Sequence, residues 1–294
     1  MIVCVGEILA DMIAQNNGVV CYERRAGGAP FNVACGVARL GGEAGFAGRT
    51  GDDAVGRWLK EYAEERGIGY LDIVCDADRN TTLAFVELSE KGERSFSFYR
   101  KNTADAYVDA DPDGLAAKAD ILHVGSLMLS LKRGREYADR LFAAAERAGK
   151  RSSFDMNYRE GLFAAEDVLP YMHRADIVKL SEEEAAMFGK PEEVARRLSR
   201  GRLLALTMGA KGSAFCLDGG FETVPSIDVR IADTTGAGDA FMAGLLTALG
   251  KETRYTDGLL RRSFRYANVC GALTATARGA IDALPSRQDV ERYV

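Results

Sequence analysis

The amino-acid sequence predicts an α/β protein in which a mainly parallel β-sheet is covered on both faces by helices. Short apolar runs alternate with helical patterns over most of the 294 residues, and such alternation is typical of a parallel sheet covered by helices. Two further stretches alternate apolar and polar residues and are rich in β-formers. They predict a small second sheet beside the main one.

The predicted strands of the main sheet are short and apolar, as expected for buried strands. They cover residues 2–5, 44–47, 121–124, 152–154, 177–180 and 203–207. The helical patterns between them cover 31–40, 54–66, 135–148, 182–188 and 192–199. Pro30 suits the first turn of a helix, and Gly67 and Gly149 suit helix C-termini. Beyond residue 207, strands are expected at 214–217 and 222–224, and a long helix near 261–277.

The two β-rich stretches lie at about 12–26 and 81–101. Their alternating pattern and the turn Glu90-Lys91-Gly92-Glu93 indicate antiparallel strands, which do not belong inside a parallel sheet. We expect both stretches to form one small β-lid beside the main body of a single domain that spans 1–294. Such a lid can close over a substrate, and its apolar face could equally form a homodimer interface.

Composition indicates an ordinary soluble globular protein, with 47% hydrophobic and 28% charged residues. The net charge of −5 argues against nucleic acid or an anionic membrane as the main partner. No apolar run approaches the roughly 20 residues of a membrane span, and the N-terminus lacks the basic region of a signal peptide. We therefore expect a cytoplasmic location.

Cysteine and histidine usage gives no sign of a metal site. The six cysteines are scattered without metal-binding spacing, and we expect them to be small buried side chains in a reducing compartment. His123 lies in an apolar run, and we expect it to be a core residue.

A glycine-rich turn near the C-terminus holds the first candidate for chemistry. Gly236 and Gly238 precede an apolar helical pattern that ends at Gly250. The turn should therefore form a helix N-terminus, where free N–H groups and the helix dipole favour an anion. Asp239 follows directly. Taken alone, it is either an acid that complements the dipole or a base for phosphoryl transfer.

A glycine pair near the N-terminus holds the second candidate. Gly27 and Gly28 come just before a predicted helix, and Asn32 falls in its first turn. A plain turn explains the glycines, but the amide of Asn32 could also bind vicinal hydroxyls. Asp11, near the end of the first strand region, is either a hydroxyl acceptor or a surface acid.

Polar residues also follow the predicted strands 152–154 and 177–180, where ligands bind in open α/β sheets. Arg159 could hold a phosphate or a sugar oxygen, or form a structural ion pair. Ser181 and Glu184 have the spacing of a helix capping box, and the same acids could organise Mg²⁺ through water.

Two common nucleotide-binding motifs are excluded. The segment 207–212 is a strand-to-strand turn whose glycines would let a nucleotide approach the backbone, but it lacks the upstream spacing of a Walker motif. Phe241 stands where a dinucleotide fingerprint would need its third glycine.

Taken together, these stretches resemble the ribokinase-like (PfkB-type) carbohydrate kinases over nearly the whole chain. The two signatures are Gly27-Gly28-x-x-x-Asn32-x-Ala34 and Asp233-Thr234-Thr235-Gly236-Ala237-Gly238-Asp239. Between them lie Gly51-Asp52-Asp53-x-x-Gly56, Asp155-x-Asn157-x-Arg159 and Thr207-x-Gly209-x-x-Gly212. The resemblance implies a three-layer α/β/α sandwich with a mainly parallel central sheet and a small β-sheet lid.

The resemblance also implies a role for individual residues. Asp239 would be the base that activates the sugar hydroxyl, and the N–H groups of Gly236, Ala237 and Gly238 would form the anion hole. The implied sugar contacts are Asp11, Gly27, Gly28, Asn32, Phe98, Arg100, Arg159 and Asp239. The implied ATP contacts are Lys179, Thr207, Gly209, Gly212, Gly236, Gly238 and Asn268. Glu184 would hold Mg²⁺ through water, and a K⁺ site would involve Asp233, Thr235, Ala277 and Gly279.

Within the family, the segments 92–105 and 177–184 look most like bacterial and plant fructokinases. The implied reaction is transfer of the γ-phosphoryl group of ATP, with Mg²⁺, to a primary hydroxyl of fructose. Arg100 and Arg159 keep a 2-keto-3-deoxygluconate kinase as the main alternative, because arginines near these positions clamp the carboxylate in those enzymes. Another sugar or nucleoside kinase of the family is a further alternative. Ser181 departs from the asparagine of many members, which implies altered handling of Mg²⁺.

An alternative from a different class is a catalytically silent protein that senses a sugar or a nucleotide. The intact Asp239 and anion-hole glycines argue against it. The expected partners are a small-molecule sugar and ATP, with a homodimer through the β-lid.

Overall fold

A computed structural model describes residues 1–16, 20–88 and 94–294, so the turn predicted at 90–93 lies outside the described residues. The strands are β1 Ile2–Val5, β2 Leu9–Asn16, β3 Val20–Gly27, β4 Ala44–Gly51, β5 Tyr70–Asp76, β6 Leu83–Leu88, β7 Arg94–Tyr99, β8 Ile121–Val124, β9 Arg151–Asp155, β10 Ile177–Ser181, β11 Leu203–Thr207, β12 Ser213–Leu217 and β13 Gly220–Val224. The helices are α1 Ala29–Arg39, α2 Ala54–Glu64, α3 Pro112–Lys118, α4 Lys132–Arg147, α5 Ala165–Met172, α6 Glu182–Ala186, α7 Pro191–Leu198, α8 Ala237–Leu249, α9 Asp257–Thr274 and α10 Arg287–Glu291.

The main sheet has nine described strands in the order β13-β12-β11-β10-β9-β8-β1-β4-β5. The pairs from β11 to β5 are parallel, whereas β12 and β13 pair antiparallel at one edge. The predicted mainly parallel sheet is therefore confirmed.

Helices cover both faces of this sheet. Side chains alternate along each buried strand, so that Ile2 and Cys4 join one apolar layer whereas Val3 and Val5 join the other. The first layer contains residues of α1, α2, α8, α9 and α10, and the second contains residues of α3 to α7. The protein is thus a three-layer α/β/α sandwich, as predicted.

Strands β2, β3, β6 and β7 form a separate four-stranded sheet in the order β3-β2-β6-β7. The pairs β2–β3 and β6–β7 are antiparallel hairpins, as predicted. The central pair, β2–β6, which joins the two antiparallel pairs into one sheet, is parallel. The chain builds α1, β4, α2 and β5 between these strands, and β6 therefore joins the lid by a long connection rather than a tight turn.

Four elements were missing from the prediction. Strand β5 lies at the sheet edge and buries Ile73 and Asp76 without a clear apolar alternation. Helices α3 and α10 are short, and α5 contains Pro170 in its interior, which weakens a helical pattern. Helix α9 also begins before the predicted residue 261, because Thr256 caps it through the N–H group of Leu259.

The expectations for single side chains were mostly right. His123 is buried and its Nδ1 lies 2.8 Å from Ser153 Oγ, and burial together with the charge of Lys179 lowers its pKa to about 3. Cys21, however, is exposed and Cys75 is only partly buried, because both lie on strands whose outer faces meet solvent. None of the described helices combines the length and apolar character of a membrane span.

Candidate active site

Helix α8 begins where the sequence predicted it, at the glycine-rich turn. Gly236 is the N-cap and has φ 74°, a left-handed conformation that favours glycine. A Cβ on Gly236 would lie only 2.6 Å from the Cβ of Ala280. The turn therefore requires glycine both for its backbone conformation and for its close contact with the loop after α9.

The N-terminus of α8 leaves N–H groups free for a ligand. Among the described residues, the N–H groups of Gly236 and Gly238 donate to no protein acceptor, whereas Ala237 donates to the carbonyl of Thr234 at 3.2 Å. Free N–H groups and the dipole at a helix N-terminus attract anions. Two of the three N–H groups assigned to the anion hole are thus available, and the third is already used by the turn.

Asp239 lies in the first turn of α8 and is only 8% exposed. The amide of Asn32 donates to its Oδ2 at 2.8 Å, and the amide of Asn157 lies 3.5 Å from its Oδ1. Burial raises the pKa of Asp239 to about 6, and nearby Asp155 adds to the rise. The hydrogen bond from Asn32 and the charges of Lys179 and Arg159 act in the opposite direction.

Asn32 reaches Asp239 from helix α1, on the far side of the site. The turn before α1 is tightly fitted, since Gly28 has φ 115° and a Cβ there would lie 2.3 Å from the carbonyl oxygen of Glu7. A Cβ on Gly27 would lie 2.4 Å from Asp11 Oδ2. The glycine pair therefore lets Asp11 and Glu7 pack against the backbone, which is a more specific role than that of a plain turn.

A buried ion pair lies beneath the N-terminus of α8. Lys179 Nζ donates to both carboxylate oxygens of Asp155 at 2.9 Å, and both side chains are almost fully buried. Burial alone would lower the pKa of Lys179, but the carboxylates of Asp155 and Glu184 outweigh it and raise this pKa. Lys179 Nζ also lies 3.4 Å from the position of a Cβ on Gly238, so a positive charge adjoins the free N–H groups.

Two cavities meet at this point. The front cavity, of about 830 Å³, lies under the lid and is lined by Asp11, Asn32, Arg159 and Asp239, among others. The rear cavity, of about 640 Å³, is lined by residues of the loops after β10, β11 and β13 and of α9. Both cavities share Asn157, Lys179, Thr234 and Gly238. Two separate ligands could therefore touch each other beside Asp239.

Most of the predicted sugar contacts line the front cavity. These are Asp11, Gly28, Asn32, Phe98, Arg159 and Asp239. Gly27 lies behind Asp11 and does not line the front cavity. Arg100 does not line the front cavity either, because its side chain is only 5% exposed and its guanidinium donates to Asp105 and Ser130.

The predicted ATP contacts line the rear cavity with one exception. Lys179, Thr207, Gly209, Gly212, Gly238 and Asn268 surround it, and Gly236 lines the front cavity. The amide of Asn268 donates to the carbonyls of Val224 and Pro225 at 2.9 and 3.3 Å. Asn268 thus fixes the segment after β13 that forms one wall of this cavity.

Glu184 forms the predicted capping box with Ser181. Its Oε2 accepts from the N–H group of Ser181, and its Oε1 accepts from the N–H group of Tyr158, both at 2.7 Å. Glu184 therefore joins the ends of β9 and β10 at the junction of the two cavities. Over the described ranges, no cluster of three or more acids, histidines or cysteines could hold a metal by itself.

The residues predicted for a monovalent cation lie behind α8. Asp233 Oδ1 accepts from the N–H and hydroxyl groups of Thr235, and its Oδ2 accepts from the N–H group of Gly279 at 3.1 Å. Asp233 thus links the loop before α8 to the loop after α9. Ala277 lies in the same loop and is exposed.

Sequence reasoning gave no role to three residues of the site. Asn157 lines both cavities and has φ 37°, a left-handed conformation that asparagine tolerates. Asp155 holds Lys179. Asn157 and Asp155 belong to the motif that follows β9, so the sequence contained a pattern that pointed to both residues. Glu7 lines the front cavity, and the sequence offered no motif that pointed to it.

Comparisons with known proteins give matches over nearly the whole chain. The family model of the pfkB family carbohydrate kinase matches residues 1–287. A fructokinase of Escherichia coli is 37% identical over 301 residues, which cover 97% of this chain and 96% of the relative.

Solved structures extend the similarity to the fold. A fructokinase of Xylella fastidiosa with bound ATP has a TM-score of 0.90 at 32% identity, covering 99% of this chain and 97% of that chain. A fructokinase double mutant of Vibrio cholerae O395 with bound fructose, ADP and potassium ion has a TM-score of 0.88 at 30% identity, with coverage of 99% and 97%. The ribokinase-like fold implied by the sequence is confirmed. This chain therefore belongs to the pfkB family of carbohydrate kinases.

Proposed function

We propose that this protein is an ATP-dependent fructokinase, which transfers the γ-phosphoryl group of ATP to a primary hydroxyl of fructose. The observation that carries the proposal is the position of Asp239. Its buried carboxylate lines the front cavity, next to the free N–H groups of Gly236 and Gly238 and at the junction with the rear cavity. The relatives from Escherichia coli and Xylella fastidiosa, which match nearly the whole chain, are named fructokinases.

The proposed reaction places fructose in the front cavity and ATP in the rear cavity. Asp239 accepts the proton of the sugar hydroxyl while the hydroxyl oxygen attacks the γ-phosphorus, and ADP leaves. The N–H groups of Gly236 and Gly238 stabilise the negative charge of the transferring phosphoryl group, and Lys179 adds a positive charge beside them. A pKa of about 6 keeps Asp239 ionised at neutral pH and still able to take a proton.

The residues around Glu184 suit a magnesium ion that arrives with the nucleotide. Mg²⁺ usually keeps several waters and binds few protein ligands, which fits a site with a single anchored carboxylate. Each Glu184 oxygen accepts one N–H group and retains a lone pair for a metal-bound water. When bound, Mg²⁺ would neutralise phosphate charge, and Ser181 would orient water through its hydroxyl where many relatives have an amide.

We also propose that the loops joined by Asp233 bind K⁺. The carboxylate of Asp233, the hydroxyl of Thr235 and the backbone of Ala277 and Gly279 would supply oxygen ligands. The structure of the Vibrio cholerae relative contains a potassium ion. A cation here would steady the turn that presents the free N–H groups of α8.

The surroundings of the two arginines favour a neutral sugar over 2-keto-3-deoxygluconate. Arg100 is buried, paired with the fully buried carboxylate of Asp105, and does not line the front cavity. Arg159 is exposed and donates to the carbonyl of Tyr158. A clamp for a substrate carboxylate needs unpaired guanidinium groups, and the site offers one at most.

The substrate is tested by measuring ADP release with fructose, 2-keto-3-deoxygluconate, ribose and adenosine under identical conditions. The proposal predicts the highest kcat/KM for fructose. A higher value for the sugar acid would overturn the assignment of fructose. Fructose binding by calorimetry without ADP release for any of the four would favour a silent sensing protein.

We propose that the protein forms a homodimer through the outer face of the lid and works in the cytoplasm, where its substrate ATP is made. The outer face carries the adjoining rings of Tyr22, Phe85 and Tyr99, with ring centroids 5.0 Å apart. Tyr99 is 64% exposed and Tyr22 is 39% exposed, and such a row of aromatic rings is typical of interface cores.

Sedimentation analysis of wild type and Tyr99→Glu tests the homodimer. We expect a dimer for wild type and a monomer for the variant, because a charge would be buried at the contact. Lys132→Glu on the exposed surface of α4 is the matched control and should remain dimeric. A monomeric wild type at micromolar concentration would contradict the proposal.

A further inference from the structure

Helix α1 carries Asn32 in its first turn but has no cap of its own. Its N-cap is Gly28, which has no side chain to accept a hydrogen bond, and the first turn of the helix carries no acid. The first N–H groups of a helix have no partner inside the helix. An acceptor for these first N–H groups must therefore come from outside α1.

Glu7, in the loop after β1, supplies the missing acceptor. Its Oε1 accepts from the N–H group of Ala29, the first residue of α1, at 3.0 Å. A carboxylate at a helix N-terminus is stabilised by the N–H groups and by the dipole. Residues 22 positions apart in the chain are thus joined in the wall of the front cavity.

The carboxyl group of Glu7 is held tightly in place. Glu7 is 4% exposed, and its carbonyl oxygen lies against Gly28, where a Cβ would come within 2.3 Å. A Cβ on Gly125 would lie 3.1 Å from Glu7 Oε2. Gly28 and Gly125 therefore pack closely against Glu7, and a larger side chain at either position would displace it.

Stability alone does not explain a carboxyl group at this position. Glu7 Oε2 is buried and has no hydrogen-bond partner among the described residues. Burial raises the pKa of Glu7 to about 7, and Asp105 adds to the rise. The N–H groups of Glu7 and Ala29 and the charge of Arg100 act in the opposite direction. An unpaired buried carboxyl oxygen is costly to a fold, so Glu7 is a candidate for a functional role.

We propose that Glu7 is a positioning residue: its carboxyl group caps α1 from outside the helix and so holds Asn32 where it donates to Asp239. Glu7 touches neither reacting atom. It acts through two hydrogen bonds: the N–H group of Ala29 donates to Glu7, and the amide of Asn32 donates to Asp239. This inference rests on the proposed function, in which Asp239 is the base.

The direct test measures the pKa of Asp239 in the ligand-free protein by NMR of its side-chain carboxyl carbon, with Asp239→Asn to assign the signal. In Glu7→Ala, Asn32 should lose its position, and the pKa of Asp239 should rise by roughly one pH unit, the equivalent of one charge-assisted hydrogen bond. Near pH 6, where Asp239 titrates, the Glu7 carboxyl is mostly protonated because its own pKa is about 7. Removing it therefore changes little charge, and what charge is lost would lower the pKa of Asp239. A rise in this pKa thus reports the lost position of Asn32.

Further variants serve as controls for the measured pKa of Asp239. Glu7→Gln keeps an acceptor for Ala29 and should restore a pKa near that of wild type. Asn32→Ala should raise the pKa of Asp239, and Glu7→Ala should add nothing to it in the double variant, because both act through the same hydrogen bond. If Glu7→Ala does not fold, the pKa of Asp239 is measured in Glu7→Asp instead. The shorter side chain of that variant keeps the carboxylate but cannot reach Ala29.

Kinetics separate this inference from the proposed function. With fructose and ATP, kcat should fall by about tenfold in Glu7→Ala and by less in Glu7→Gln, while the KM for ATP stays near the wild-type value. If the wild type does not phosphorylate fructose, the proposed function is wrong, but the titration of Asp239 still tests the role of Glu7. An unchanged or lowered pKa of Asp239 in Glu7→Ala, or an additive double variant, would overturn the role of Glu7.

Discussion

Asp239 owes its chemical character to burial. An acid that only complements a helix dipole would be exposed and ionised well below neutral pH, whereas Asp239 is 8% exposed and has its pKa raised to about 6. Three groups, Asn32, Lys179 and Arg159, limit that rise by favouring the charged form. At the scale of single residues, the pKa of Asp239 is set by burial, which raises it, and by these three groups, which lower it.

The pH dependence of kcat/KM for fructose follows from the pKa of Asp239. The base must be unprotonated, so kcat/KM should fall as the pH drops below about 6. Asn32→Ala removes a hydrogen bond that favours the charged form, and the acid limb should therefore move to higher pH. Asn80→Ala, an exposed asparagine outside the cavities, is the matched control. An acid limb that stays in place in Asn32→Ala would contradict the assigned contact.

The sequence predicted the candidate residues of the site better than it predicted the contacts between them. The two glycine signatures located Asp239 and Asn32, because such turns have a recognisable composition. The hydrogen bond between them joins residues 207 positions apart, and no local pattern encodes that contact. Arg100 was expected to contact the sugar, but its pairing with Asp105 became visible only in three dimensions.

At the scale of elements, the close contact of α1 and α8 brings Asn32 to Asp239. Gly36 lies one helical turn after Asn32, and Ala243 lies one turn after Asp239. A Cβ on Gly36 would lie 2.6 Å from the Cβ of Ala243, so glycine allows the two helices to approach. The sequence predicted both helices, but the contact between them depends on how the first apolar layer packs.

Gly36→Ala should push α1 and α8 apart. We expect a loss of about 1–3 kcal/mol in the free energy of unfolding from overpacking, and a fall in kcat as Asn32 moves away from Asp239. Gly258→Ala in α9 is the matched control, because its nearest neighbour would be an arginine terminus at 3.6 Å. It should be neutral or slightly stabilising. Urea unfolding and steady-state kinetics of both variants check the prediction, and equal behaviour of the two would refute it.

At the scale of the whole molecule, two sheets enclose the site. The main sheet presents the loops after β9, β10 and β11 at its carboxyl edge, and the lid covers the front cavity with Asp11 and Phe98. Strand–helix alternation was enough to predict the sandwich, because each element buries one face. The parallel β2–β6 pair and the meeting of the two cavities were not predictable, since both depend on segments far apart in the sequence.

The central claim is that Asp239 is the base of a fructose kinase. The most direct test compares kcat and fructose affinity in wild type and Asp239→Asn. The variant should fold normally, and at pH 8 its melting temperature should not fall below that of wild type. Because the pKa of Asp239 is raised from 3.8 to about 6, stability is lost as the pH rises from about 4 through 6, and the full cost of the ionised carboxylate is present at pH 8.

The measurement itself is kcat with saturating ATP and fructose, together with fructose binding by calorimetry. The account predicts that Asp239→Asn binds fructose about as well as wild type and that kcat falls by about 10²- to 10⁴-fold, the usual scale for loss of a general base. Turnover within a few-fold of wild type would contradict it.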